Sequence, residues 1–354
     1  MVTMKQVAAH AQVSIATVSF VVNDTKPVLP ETRQRILRAI DELGYRRNAA
    51  ARALASRKSR IIALIYPLLD QRNHHAFIEG AAAVAAQRGY SLVLWPIHSD
   101  NAKTEIAALI QAGFADGVLL MEVQLEDERV AHLKQAGAPF VLIGRTRDLD
   151  GIDYVDMDFE RTTCLAVDDL MALGHRDFAL VVEDLSGTPL ADYSPPIRAE
   201  QTFDHLMSER GLRGHVFRLA HDPGAVRSLA ERLMREAPDT TAVVSMYDEA
   251  SLSLAGGFRH LGVGIPEDIS IVGIATSTAI TTLIDPVLTT YDAPGAPLGG
   301  LAADALIDRL EGRDGPPAQV RITCSLHEGA SVGPAPRDRP PLEELAAARA
   351  DGMS

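Results

Sequence analysis

Beyond residue 60 the chain repeats one pattern almost to its end. Short apolar runs at residues 61–66, 91–95, 117–121, 140–143, 178–182, 216–219, 242–246 and 269–274 alternate with longer stretches. Those stretches, such as 77–88, 103–112 and 164–173, are rich in Ala and Leu at helical spacing. A run without polar alternation is a strand buried on both faces. Strands alternating with helices return to their sheet in parallel, and the helices cover both faces. Eight such runs exceed one compact lobe, so the pattern predicts an α/β core of two Rossmann-like parallel-sheet lobes.

The first 45 residues follow a different period and predict three short helices. Thr3 and Gln6 form a capping box ahead of Met4, Val7, Ala8 and Ala11. Gln12 and Val13 make a turn, and Ser14 caps a second helix over residues 15–23, whose Val18 and Val21 or Val22 can pack on Val7 and Val13. A third helix starts at Pro30, carries Ile36, Leu37, Ile40 and Leu43 inward, and stops at Gly44. The expected division is a headpiece at 1–46, a hinge at 47–60 and a core at 61–333. Within the core, one lobe takes about 61–160 and 291–320, the other about 161–290 and 321–333. Residues 334–354, which open on Pro334, Pro336, Pro340 and Pro341, read as a flexible tail.

Charge separates the same parts. The chain carries −13 overall, but residues 1–60 hold eleven Lys/Arg against four Asp/Glu, a charge of +7, which leaves −20 on the rest. A small basic module on an acidic body is the asymmetry expected where one module meets phosphates. A solvated basic face would give the same count, so the motif must decide.

A short helix, a tight turn and a second helix with small or polar outward residues occur over residues 7–19. This is the layout of a helix-turn-helix, although a generic helix pair can imitate it. The run Val13-Ser14-Ile15-Ala16-Thr17-Val18-Ser19-Phe20-Val21-Val22-Asn23 closely resembles the headpiece signature of the lactose-repressor/galactose-repressor family. So do Glu31-Thr32-Arg33 and Ile40-Asp41-Glu42-Leu43-Gly44-Tyr45, followed by Asn48 and by Ala51-Arg52-Ala53-Leu54. The likeness continues through Leu173-Gly174-His175-Arg176, Ile265-Pro266-Glu267-Asp268-Ile269-Ser270-Ile271-Val272-Gly273 and Asp285-Pro286-Val287-Leu288-Thr289-Thr290.

The resemblance implies a role for each matching position. Ile15, Ala16 and Phe20 stand where the family places base-reading side chains. Thr17, Ser19, Asn23, Thr32 and Tyr45 stand where it holds phosphates. Asn48, Ala53 and Leu54 fall in the hinge, whose leucine is pressed between base pairs of the minor groove. An apolar reading set implies contacts to thymine methyls, unless Phe20 packs inward. Leu29 departs from the Ser or Thr that often caps the third helix.

The family likeness also implies a core similar to periplasmic sugar-binding proteins, with a small-molecule effector held between the lobes at the strand ends. The implied effector-binding residues are His74, His75, Trp95, Arg145, Arg198, Tyr247 and Asp248, and each also fits a plain surface role. Ala275-Thr276 replaces the family's usual acidic residue, Ala293 replaces a common glutamine, and Arg198 lies one residue from the usual pocket arginine. A pocket keeping Arg145 and gaining aromatic surface implies either a polar or anionic group on a flatter body, or an ordinary sugar held by rearranged contacts.

Other classes leave no trace. Cys164 and Cys324 stand far apart, and His74-His75 has no evident third ligand, so no metal or other cofactor is expected. There is no nucleophile-elbow, zinc-protease, Walker or dinucleotide motif, which argues against an enzyme. No apolar stretch approaches about eighteen residues and no export signal is visible, so a cytoplasmic location off the membrane is expected. The resulting expectation is a homodimeric, effector-controlled repressor on double-stranded operator DNA. A solute-binding protein without a regulatory role and a constitutive repressor without effector are the alternatives.

Overall fold

The computed structural model describes residues 2–24, 26–45, 58–67, 74–97, 102–220, 222–337 and 339–352. The chain divides into two compact units, Met1–Ser59 and Arg60–Ser354.

The first unit is three helices: α1 (Met4–His10), α2 (Ile15–Asn23) and α3 (Pro30–Leu43). The expected caps are present. Thr3 and Gln6 satisfy each other's backbone donors in a capping box, and Ser14 Oγ accepts from Thr17 N–H at 3.0 Å. Leu29 gives no side-chain cap, so Pro30 sets the start of α3, and Gly44 closes it at φ 62°. Val7, Ala8, Ala11, Val18, Val21, Val22, Ile36 and Ala39 form the core. Leu37 does not join them: it is 49% exposed. Ile36, Ala39 or Ile40, and Leu43 share one face at helical spacing, and Leu37 lies one step around the helix from it.

The second unit contains two six-stranded sheets. The first lobe holds β1 (Ile61–Pro67), α4 (His75–Gln87), β2 (Ser91–Ile97), α5 (Ala102–Gln111), β3 (Gly117–Met121), α6 (Glu128–Ala136), β4 (Phe140–Ile143) and β5 (Tyr154–Met157). The chain then crosses into α7 (Phe159–Ala172), β6 (Asp177–Asp184), α8 (Ser194–Arg210), β7 (Arg213–Ala220), α9 (Pro223–Glu236), β8 (Ala242–Met246), α10 (Tyr247–His260), β9 (Ser270–Thr276), α11 (Thr278–Thr281) and β10 (Thr289–Asp292). It returns for α12 (Gly295–Leu310) and β11 (Gln319–Ile322), and crosses again to β12 (Ser325–His327) and α13 (Leu342–Gly352).

The sheet orders are β11-β5-β4-β3-β1-β2 and β12-β10-β9-β8-β6-β7. All pairs are parallel except β10 with β12. Alternation along each strand builds a core on each face. Ile62 and Leu64 enter one cluster while Ala63 and Ile65 enter the other. Phe178, Leu180 and Val182 are divided from Ala179 and Val181 in the same way. Helices α4 and α12 cross so closely that a Cβ on Gly299 would lie 2.0 Å from the Phe77 carbonyl oxygen. Only glycine allows that approach.

The end of the chain departs from expectation. Residues 334–354 are not uniformly a loose tail. Ala335 N–H donates to Leu173 O at 2.9 Å, and Arg339 donates to Thr240 O at 3.0 Å. Leu342 is completely buried, and Leu345 and Ala346 pack beside the same cluster. Their i, i+3, i+4 spacing gives α13 one apolar edge, and that edge is enough to dock it.

Candidate functional site

In the first unit the site is the outward face of α2. Ile15 is 49% exposed and Ala16 is exposed beside it, at the helix start that Ser14 caps. Thr17 Oγ1 lies 2.8 Å from Ser14 Oγ, which orients both hydroxyls. Ser19 is half-buried. Phe20 is half-buried too, with Lys26 Nζ 5.0 Å from its ring centre. It therefore neither enters the core nor stands free. Thr32 is half-buried on α3, and Tyr45 packs against the core of the unit. Asn23 ends α2. Asn48, Ala53 and Leu54 lie outside the described residues.

In the second unit, the loops at the carboxyl ends of the strands bring the two lobes together. Arg145 follows β4 and is buried, with Nε 2.6 Å from the Asp156 carboxylate on β5. Its other end donates to Glu160, at the start of α7 in the second lobe, at 2.7 Å. Arg198 on α8 reaches Glu160 at 3.3 Å and donates back to the Thr146 carbonyl at 3.3 Å. Burial pushes the Asp156 carboxyl up to about 6, against the opposing pull of Arg145. Burial is the largest single influence on Glu160 too, but the hydrogen bond and charge of Arg145, a backbone hydrogen bond and the charge of Arg198 together outweigh it and hold this carboxyl below its usual range.

This network corrects one expectation. Arg145 is not a spare cation awaiting an anionic ligand, because two carboxylates already claim it. Asp156 and Glu160 were missed in the sequence. Their only trace is the alternation of three acids, Asp156, Asp158 and Glu160, with apolar residues along the crossing segment.

Other sequence-predicted residues separate into groups. His74 Nε2 lies 2.9 Å from Glu122 Oε1, and its ring centre is 5.4 Å from that of Tyr66. Glu122, unremarked in the sequence, is buried where β3 ends, with φ at 51°. His75 is directed to solvent, 84% exposed, near Glu79 of its own helix. Trp95 packs edge-on to Phe114 at 5.6 Å with the core cluster on one face of the first sheet, whereas Tyr66, the ring beside His74, packs with the cluster on the other. Neither His75 nor Trp95 joins the group they were expected to complete.

On the second lobe, Asp248 Oδ1 accepts from Ser277 N–H at 2.8 Å. Burial raises its pKa, and nearby Asp292 adds to the rise. Asp292 is held by Thr278 N–H at 2.9 Å and Thr290 Oγ1 at 2.6 Å. Tyr247 opens α10 at φ 67° and packs against the lobe core. Among the described residues no group of three His, Cys, Asp or Glu side chains is placed to hold a metal ion. No helix among them is long and apolar enough to cross a membrane.

A capped helix-turn-helix unit and a core of two parallel-sheet lobes define a class, the ligand-controlled DNA-binding regulators. Residues 3–48 match the bacterial regulatory proteins of the lacI family, and residues 167–332 match the periplasmic binding protein-like domain. Catabolite control protein A of Priestia megaterium is 30% identical over 307 residues, covering 85% of this chain and 90% of that protein. The HTH-type transcriptional regulator CelR of Thermobifida fusca is 30% identical over 346 residues, covering 92% and 96%. Among solved structures, the lac repressor dimer bound to operator and the anti-inducer ONPF matches with a TM-score of 0.81 at 25% identity, over 94% of this chain and 99% of that one. A CelR–cellobiose complex matches with a TM-score of 0.69 at 26% identity, over 94% and 100%. The chain belongs to the lacI family of transcriptional regulators.

Proposed function

We propose that this regulator is a cytoplasmic homodimeric repressor, without enzymatic activity, whose grip on a near-palindromic operator is set by a neutral sugar or glycoside between its lobes. The carrying observation is the start of α2: Ile15 and Ala16 stand exposed on a Ser14-capped helix, within a segment of charge +7. That face enters the major groove. Ile15, Ala16 and Phe20 read bases; Thr17, Ser19, Asn23, Thr32 and Tyr45 hold phosphates. Asn48, Ala53 and Leu54 serve the minor groove, with Leu54 as the wedge.

The effector reading rests on the core. Solved relatives described with cellobiose and with ONPF support a sugar-type ligand. Neutralised arginines beside carboxylates favour hydroxyl groups over an anion. His74, Arg145, Arg198, Tyr247 and Asp248 frame the site, while His75 and Trp95 are peripheral.

The test begins by selecting duplexes from a random pool with the full chain. The chain should retain two half-sites about one helical turn apart, and affinity should fall steeply with salt. A chain lacking residues 1–59 should stay folded and retain nothing; specific retention by it would overturn the assignment. Neutral disaccharides should change the affinity of the full chain, and sugar phosphates should not.

A further inference from the structure

The two lobes are also joined by peptide groups beside the charged network, where Arg147 N–H, two residues past Arg145, donates to the Leu125 carbonyl at 2.8 Å. Residues 122–126 follow β3 in the first lobe, and residues 185–193 link β6 to α8 in the second. The segments meet antiparallel, with Gln124 bridged to Tyr193. Leu125 N–H donates to the Asp192 carbonyl at 2.8 Å, and Ser194 N–H donates to the Val123 carbonyl at 3.3 Å. Glu126 N–H donates to the Asp192 carboxylate at 2.9 Å, and Gln124 Nε2 donates to the Pro189 carbonyl at 3.0 Å.

Each segment is built before it meets the other. Buried Arg129 donates to the carbonyls of Met121 and Glu122, and it is paired to Asp127 at 2.6 Å. Asp127 in turn accepts from Gln124 N–H at 3.1 Å. This bracing holds Glu122 at φ 51°, a left-handed conformation that a non-glycine residue adopts only when its surroundings impose it. Across the gap, Leu185 and Leu190 are buried and Thr188 Oγ1 donates to Leu185 O at 2.7 Å. Two rigid edges therefore face each other with their donors and acceptors already aligned.

Their place in the sheets gives the contact its meaning. Every chain crossing between lobes leaves from β5, β10 or β11, near one edge of the sheet orders. The Gln124–Tyr193 contact joins the ends of β3 and β6, which lie two strands and one strand in from the far edges. The lobes are thus joined by the crossings near one edge and by this strap farther along the sheets.

We propose that the strap is a latch that holds the two lobes closed on each other. A peptide hydrogen bond exposed to competing water shifts such an equilibrium by about two- to tenfold. Several acting together make the closed form dominant yet leave it reversible. That the space between the lobes is an effector cleft rests on the function proposed above; the closure itself does not.

The test uses the full chain with Gln124→Cys and Tyr193→Cys in a Cys164→Ser background. Bridged antiparallel partners lie within disulfide reach. Mild oxidation should therefore cross-link nearly all molecules, and small-angle scattering should be unchanged between the oxidised and reduced forms. In otherwise native protein, Gln124→Ala with Asp192→Ala should speed amide exchange at Leu125, Glu126 and Ser194 together, by about four- to a hundredfold for two bonds lost. A failure to cross-link, compaction on cross-linking, or unchanged exchange would each overturn the latch. Loss of operator response to disaccharides with closure intact would instead sink the effector reading.

Discussion

Arg145 and Asp156 face each other at 2.6 Å with 6% and 5% of their side chains exposed, and Glu160 of the second lobe takes the other end of the same guanidinium. The arginine is thus a structural tie between lobes before it is anything else. Removing one member of a buried pair leaves its partner as an uncompensated charge, which is worse than never having had the pair.

Arg145→Ala should accordingly destabilise the core by about 3–5 kcal/mol. Denaturant unfolding followed by circular dichroism would show this as a lowered midpoint. An effect below about 1 kcal/mol would mean that the pair is solvated and that Arg145 is free for ligand.

Asp156 also makes stability depend on pH. Its folded pKa of about 6 lies above its ordinary value of 3.8, so between these the native state holds more protons than the unfolded one. Stability from this group therefore falls as pH rises through that window. Compared with Asp156→Asn, which cannot titrate, the native chain should lose on the order of 2–3 kcal/mol between pH 4 and pH 6.5. Glu160, held low, works in the opposite direction, but it is present in both chains and cancels from the comparison. A difference that stays flat or rises would show that the pairing with Arg145 outweighs burial.

The headpiece was almost fully legible because its signals are local: Thr3 and Gln6, Ser14, Pro30 and Gly44 act within one turn of where they stand. The long buried strands were legible for a similar reason. The four strands at the lobe crossings were not. Residues 154–157, 289–292, 319–322 and 325–327 are only three or four residues long and mix polar with apolar side chains. They become strands because the sheet beside them supplies partners. The cleft followed the same division. Arg145 could be placed at a strand end, but Asp156 becomes its partner only when β5 pairs beside β4, and Glu160 only once the chain has crossed between lobes. Trp95 looked like a ligand-facing ring, but it is half-buried against Phe114.

Ile15 offers a clean separation of recognition from folding. It is 49% exposed and outside the core of its unit. Ile15→Ala should leave the melting of the headpiece nearly unchanged while reducing affinity for the selected operator by about fivefold or more, the order of one lost base contact. Binding to random DNA should barely move, since no charge is altered. A parallel loss on both DNAs would place Ile15 outside base reading.

The docked end of the chain gives the last prediction. Composition alone makes residues 334–354 look dispensable, since prolines and an Ala/Glu stretch contribute little core. Yet Leu342 is completely buried in the cluster that also holds Leu233 and Phe258, and its N–H donates to Pro238 O at 3.0 Å. Truncating a buried leucine removes its transfer free energy and leaves a cavity that the neighbours fill only in part. Leu342→Ala should therefore destabilise the second lobe by about 2–4 kcal/mol. Ending the chain at residue 337 should do at least as much, because it also strips the Arg339 contact to the Thr240 carbonyl. Leu345 and Ala346 are only partly buried, so replacing them should matter less. Denaturation of the three variants would rank them, and an end-truncated chain as stable as the full one would show that α13 rests on the lobe without supporting it.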